Sequence, residues 1–590
     1  MAAPGARRLT LAALASAAAF ALAATPADAA QPPIPISELF TNPNAPIFEG
    51  EEAVPDPVYA PEVPQHPKMA ANGQSNLHDD GYMSDTYTSA GPLGRAMRTR
   101  TSFLEGVCAS ITFDKRGRLV TVCVGLEGPK LVLVDPRSLD TIGVMSLPPR
   151  MSAGGNLFQD FAGGGYFYLD ESDRVVVPTT TRHIMVVAVR GDGFVTERDY
   201  DVSGQLASGD KIVSALPDWS GRIWFVTGQG VVGAVDPASG TAQVHRTGEP
   251  ITNSFSVDED GGVYIVTDGA LYRFDADQAG APQVTWREPY ENTGEGKPGQ
   301  VGPGSGTTPT VMGRDLVSIT DNADPINVVA YKRGRSVKGA RRVCSEPVFP
   351  KGRGSTDQSL IGTHKSMIVE NNYGYTGPAS TFQGGVTEPG LARVDVRADR
   401  KGCKTIWTSD EIAPSVVPKL SLRTGLVYTY TKNRDDADPW YLTALDFRTG
   451  KTVFRQLAGQ GLGLNNNYAP ITIGPDGSVY VGVIGGMVTL RDRSDPNDVE
   501  PRLPRLGLKL KRARGAGALR ARLSGDDRGL VKSVDYRIRG RGVAKRSKRS
   551  PFRRSIRERG LRGSRRYRVT ASVKLRDGRT VFHKRSFRTR

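Results

Sequence analysis

Between residues 105 and 493 the chain alternates short apolar runs with Asp-Gly turns and polar loops. The clearest copy runs Phe255-Ser256-Val257-Asp258-Glu259-Asp260-Gly261-Gly262-Val263-Tyr264-Ile265-Val266-Thr267-Asp268-Gly269-Ala270-Leu271-Tyr272-Arg273-Phe274-Asp275. β-branched and aromatic residues flank its turn, which predicts an antiparallel hairpin. A third apolar strand then ends in Asp, and a polar fourth segment follows. Comparable copies centre on 114–135, 218–236 and 475–491. No segment sustains a 3.6-residue apolar period, so helix content should be low.

The copies recur roughly every 40 to 50 residues, the spacing of β-propeller blades. Units start near Glu105, Phe161, Lys211, Ile251, Gly306, Gln358, Ala413 and Tyr468. This predicts an all-β, eight-bladed β-propeller over 96–495, with seven as the alternative count. The last unit has only three strands. A strand near 97–104 is expected to complete it, because an open edge invites aggregation.

The flanks differ from this region. Arg7-Arg8, an apolar run over 9–24 and Ala27-Asp28-Ala29 read as a signal peptide over 1–29. The run is too short and too Ala-rich for a spanning helix, and no later stretch reaches that length. The mature chain is therefore expected to be secreted or associated with the cell envelope, with no transmembrane segment. Residues 30–95 are Pro-rich and aperiodic, and read as an extended arm.

Charge sets the C-terminal boundary. Residues 502–590 hold 32 Lys and Arg against 5 Asp and Glu, a net of +27, so the rest of the chain is net acidic. A linker over 496–505 then leads to a basic domain over 506–590. There Val534, Tyr536 and Ile538 alternate, as do Tyr567, Val569, Ala571, Val573 and Leu575. Asp577-Gly578 turns into a further strand, which predicts a small Ig-like β-sandwich. Residues 545–559 read as a loop. So basic a surface is expected to bind an anionic cell-envelope polymer, and export argues against nucleic acid as the physiological partner.

Four cysteines in an exported chain predict disulfides. Cys108 and Cys123 flank one predicted hairpin, at bridging distance, and Cys344 and Cys403 are left for each other. No Cys-x-x-Cys occurs, which argues against c-type haem and a zinc ribbon.

Ala444-Leu445-Asp446-Phe447-Arg448-Thr449-Gly450-Lys451-Thr452-Val453-Phe454 resembles the docking motif of quinoprotein-like propellers, those with repeats of the pyrroloquinoline quinone (PQQ) type. Ala234-Val235-Asp236-Pro237-Ala238-Ser239-Gly240 is similar. Phe454 and Val244 stand where that family has Trp. The wider chain also resembles an uncharacterised group of exported bacterial propeller proteins. The resemblance implies the fold and leaves function open.

Candidate chemistry gathers in the loops between second and third strands of the later units. These hold Asp321, Asn322 and Asp324; Glu370, Asn371, Asn372, Tyr373 and Tyr375; and 432–436. Asn466, Asn467 and Tyr468 enter the eighth unit beside them. Such a set suits a small polar or polyhydroxyl ligand with tyrosines as stacking surfaces. Calcium, held by Glu370, Asn372 and Asp324, is a further possibility. Asn and Asp also fill loops simply because their side chains bond nearby backbone. In the arm, 76–87 is dense in polar and aromatic residues, and His78, Asp79 or Asp80 are expected to fold back over the propeller.

Three classes of function follow. The chain is a binding propeller with a basic attachment domain, a dehydrogenase using PQQ and calcium, or a calcium-dependent hydrolase of the lactonase type. For the second, Glu370, Asn371 or Asn372 would hold metal and Asp321 or Asp324 would be the base. The adjacent Cys pair of quinoprotein alcohol dehydrogenases is absent. Gly302-Pro303-Gly304-Ser305-Gly306 precedes a strand and so lacks phosphate-loop context. No Gly-x-Ser-x-Gly offers a nucleophile elbow.

Overall fold

A computed structural model describes residues 42–104, 106–125, 127–149, 162–512, 518–538, 545–550, 552–557, 561 and 563–589. The signal peptide expected over 1–29 lies outside the described residues.

The apolar runs pair in chain order. Val107–Phe113, Leu119–Gly125, Gly128–Val134 and Thr141–Ser146 form one four-stranded antiparallel sheet. Among the described residues, seven more sheets of this kind begin at Tyr168, Ile212, Ser256, Thr310, Ile361, Lys419 and Ile471, giving a propeller-like all-β architecture. The last is completed by Arg98–Phe103, which pairs antiparallel with Gly486–Arg491. The second and third strands of a sheet are buried on both faces, as in Ile223–Thr227 and Val231–Val235, while the fourth, Ala242–Arg246, is half-exposed. Sheets covered on both faces need continuous apolar runs, and the second and third strands supply them.

One carboxylate builds the first turn of each early unit. Asp114, Asp170, Asp218 and Asp258 each accept from the backbone N–H two and four residues ahead, closing the hairpin on a side chain. The motif at Asp446 works similarly: its carboxylate accepts from the N–H of Arg448 and Thr449. Gly450 has φ +72°, and a Cβ there would strike the Trp407 ring. Trp407, on the outer strand of the sixth sheet, donates its indole N–H to Phe447 O at 2.9 Å. The aromatic wedge between these neighbours is thus Trp407, while Phe454 is buried and stacks on Phe48.

Both disulfides form. Cys108–Cys123 ties the first hairpin, and Cys344–Cys403 joins the outer strands of the fifth and sixth sheets.

The arm is extended, but it belongs to the ring. Phe48–Gly50 adds an edge to the seventh sheet, and Thr86–Tyr87 pairs parallel with Leu420–Ser421. Between these, carbonyls of the arm accept from the innermost strands in turn. Ser75 takes Leu169 N–H, Gly81 takes Val257, Tyr82 takes Val311, Ser84 takes Gly362 and Asp85 takes Leu420. Innermost strands have one unpaired edge, and the arm satisfies it in five sheets.

The C-terminal residues form two sheets around one apolar core that includes Leu523, Val534, Tyr536, Val569 and Val573. The stretch read as a loop contributes two short strands, Lys545–Ser547 and Arg553–Arg557. Its basic residues hide a buried Phe552 and Ile556, which is why the charge pattern conceals the pairing.

Candidate functional site

The arm carries a polar cluster to the middle of the ring. His78 Nδ1 lies 3.0 Å from Asp85 Oδ1, and its Nε2 lies 3.3 Å from Ser359 Oγ on the wall of the sixth sheet. Lys419, fully buried on the innermost strand of the seventh sheet, donates to Asp85 and to Leu77 O, with Asp79 Oδ2 at 3.6 Å. Asp80 accepts from Ser84 Oγ at 2.6 Å and from Tyr82 N–H at 2.9 Å. Burial lowers His78, though Asp85 opposes it, so the imidazole is held neutral. Burial raises Asp79 well above the carboxylate range and pushes Asp80 up to about 7.

Chemically, the chain Ser359–His78–Asp85 has the order hydroxyl, imidazole, carboxylate. Its serine and base lie 281 positions apart, and neither Ser359 nor Lys419 stands in any motif. The one signal for Lys419 was a lysine at the head of a strand that is otherwise buried. Tyr166 stacks on His78 at 6.5 Å, and Tyr166 and Asp357 are both half-exposed just ahead of the second and sixth innermost strands. Burial pushes Asp357 up to about 7, although its edge meets solvent.

The loop residues singled out from the sequence are largely buried and bonded to the protein. Glu370 accepts from Asn372 Nδ2, Val416 N–H and Thr429 Oγ1 at 3.0–3.1 Å, and burial raises its carboxyl well above the usual range. Asn372 Oδ1 accepts from Thr356 Oγ1 and Asp357 N–H. Asn371 bridges the carbonyls of Arg353 and Pro389. Asp321 accepts from Asn327 through backbone and side chain, and burial pushes it up to about 6. Asn322 donates to Pro303 O and Glu295 O. Asp324 is exposed and accepts from Gly352 N–H. Tyr375 is fully buried, its hydroxyl 2.9 Å from Asn465 Oδ1 and 3.0 Å from Asn467 Oδ1, while Asn466 bonds Ser415 O and Ala469 O.

The structure therefore brings together Glu370 with Asn372, and Tyr375 with Asn467, but leaves Asp324 apart from both. A calcium ion needs several oxygens free to point at it. Glu370 and Asn372 direct theirs at protein donors, so the set does not fit a calcium ion. The quinone-site reading of the same loops meets the same geometry. Among the described residues, no three His, Cys, Asp or Glu side chains are grouped to hold a metal.

The basic domain docks at the other end of the sheets. The candidate loops join second to third strands, whereas the docking turn at Asp446 joins third to fourth. Consecutive strands are antiparallel, so these turns lie at opposite ends. Arg505 pairs with Asp56 at 2.6 Å, and Arg448 with Asp527 at 2.8 Å. Burial would raise Asp56, but Arg505 and Arg448 outweigh it and hold the carboxyl below its ordinary value. Arg576 lies over the Tyr59 ring at 5.2 Å. No helix of the described residues is long and apolar enough to cross a membrane.

No family model matches the chain. An uncharacterized protein of Archaeoglobus fulgidus is 30% identical over 319 residues, covering 48% of this chain and 62% of that protein. The match thus spans less than two thirds of that relative. Among solved structures, the C-terminal WD40 domain of Sif2 is 12% identical with a TM-score of 0.39, covering 67% of this chain and 98% of that one. Sqt1 of Saccharomyces cerevisiae is 10% identical with a TM-score of 0.35, covering 60% and 91%. At these scores neither likeness bears on ligand or activity.

Proposed function

We propose that the chain is an exported, quinoprotein-like propeller of eight blades, held to anionic envelope polymer by a C-terminal Ig-like domain. Its opposite end takes a small polar or polyhydroxyl ligand. The observation that supports this is the segregation of charge. The net +27 of 502–590 sits on a domain docked at one end of the sheets, which leaves the other end uncovered by it. Tyr166 and Asp357, partly exposed beside the polar cluster around His78, are the residues that would meet the ligand.

Attachment is tested by sedimentation with cell envelopes, comparing the full chain with one ending at Pro501. The full chain should pellet at low salt and be released at about 0.5 M salt, where the Debye length falls to a few ångströms. The shortened chain should stay in solution. Equal pelleting of the two, or salt-independent pelleting of the full chain, removes the attachment reading.

A second reading, hydrolysis, rests on the Ser359–His78–Asp85 chain. In it, His78 Nε2 takes the Ser359 proton as Oγ bonds an acyl carbon. The leaving group then receives that proton, and water releases the acid. A fluorophosphonate probe should mark Ser359 and fail on the Ser359→Ala chain. An unmodified Ser359 in the folded protein ends this reading and leaves the binding one standing.

A further inference from the structure

The docked domain and the ring border an open groove of about 770 Å³, within the size range of small-ligand sites. Its walls come from three parts of the chain. Lys365 and Arg448 project from turns of the sixth and seventh sheets, Arg502 and Arg505 from the linker, and Arg528 from the C-terminal domain. Two carboxylates, Asp446 and Asp526, share the wall.

These cations are not all neutralised. Arg448 and Arg505 are taken up by Asp56 and Asp527. Arg393, at the back, is paired with Asp395 at 2.7 Å. Asp395 is then 3.9 Å from Lys365 and already engaged. Arg502 and Arg528 form no ion pair among the described residues; Arg528 donates its Nε–H to Gly525 O. Asp446 spends one oxygen on its own turn. Lys365, Arg502 and Arg528 thus approach one space from three elements, with Asp446 and Asp526 as the opposing charges.

The geometry points to a binding site for a phosphate group in this cleft, shared between ring and domain. A phosphate sets its oxygens tetrahedrally, the two terminal and two ester oxygens of a diester included, and can meet donors arriving from separate elements, whereas a carboxylate offers two in one plane. Arginine forks supply paired donors at close range, and lysine adds a point charge. The inference rests on the attachment reading and sharpens it, making the polymer a phosphodiester chain and giving one of its phosphates a fixed seat. The same chemistry could come from a free phosphate ester.

The test is calorimetric titration of the full chain at low salt with pyrophosphate, with a glycerol phosphate oligomer, and with polyglutamate as a carboxylate polymer. Pyrophosphate should bind one to one. The triple variant Lys365→Ser, Arg502→Ser, Arg528→Ser should lose at least about tenfold in affinity. A control lacking the same charge elsewhere, at Lys509, Lys532 and Lys584, should lose no more than about twofold, the weak effect of distant exposed charge. An oligomer binding more tightly than pyrophosphate marks a polymer as the source, and equal affinities mark a free ester; either supports the phosphate site. Equal losses in the two variants, or polyglutamate binding as tightly as the oligomer, would overturn it. Sedimentation separates the two ideas: if the parent chain pellets with envelopes but binds no pyrophosphate, or if the cleft variant binds it as tightly as the parent, attachment stands and the cleft assignment fails.

Discussion

Replacing Lys419 by Met should cost about 3–5 kcal/mol of stability, the range for breaking a buried ion pair from one side. Lys419 is fully buried and faces Asp85 and Asp79, both also buried. Methionine matches the length of the side chain, so little volume changes. What changes is charge: Asp85 keeps only neutral His78. Denaturant unfolding at pH 7 reads the loss. Asp85→Asn in the Lys419→Met background should recover part of it, because the uncompensated carboxylate is gone. A single-variant loss under about 1 kcal/mol, the scale of an exposed pair, would mean that this pair is not buried in solution.

Asp80 makes stability depend on pH in a direction opposite to that of ordinary carboxylates. Burial, only partly offset by Ser84, lifts its folded pKa to about 7, against the ordinary aspartate value of 3.8. Between those values the folded chain holds a proton that the unfolded chain has lost. Its contribution is therefore complete below about pH 4 and is lost as pH rises to about 7. Two histidines act the other way: burial lowers the buried His66 and the partly buried His364 to about 4, so each adds stability as pH climbs toward 6.5. The Asp80 term is isolated by difference. Asp80→Asn removes the titration while keeping an oxygen for Tyr82 N–H. Relative to the parent, it should gain on the order of a few kcal/mol between pH 4.5 and 7.5. Parallel stability curves for the two chains over that range would show that Asp80 stays ionised.

The repeat was legible because one physical device recurs in it. Asp114, Asp170, Asp218 and Asp258 close their turns in the same way, and apolar runs on either side mark the strands. The cysteine pairs were legible for the same local reason at Cys108 and Cys123, and by elimination at Cys344 and Cys403. The loop amides illustrate the opposite case. Composition registers that Asn371, Asn372 and Asn466 are polar, but whether an amide faces a ligand or a neighbouring carbonyl is decided by chain segments far away. Here Asn372 reaches Pro414 O and Asn466 reaches Ser415 O, both on the approach to the seventh sheet. The arm shows how far a local signal carries. The density of polar residues around His78 was visible, but its partners Ser359 and Lys419 lie hundreds of positions on and carry no pattern.

The arm's place in the ring also sets an order of events. Residues 48–103 are synthesised long before their partners in the ring: Phe48 pairs with Gln456, and Arg98 with Arg491. Sheets such as those at 212–246 and 256–289 can form as they emerge, each from neighbouring sequence. The circle cannot lock until residue 491 has been made, and until then five inner edges wait for carbonyls that were among the earliest synthesised. Such contacts of long sequence separation are slow to form. The incomplete chain exposes unpaired strands throughout its synthesis, which makes it a natural client for holding factors that keep nascent strands apart.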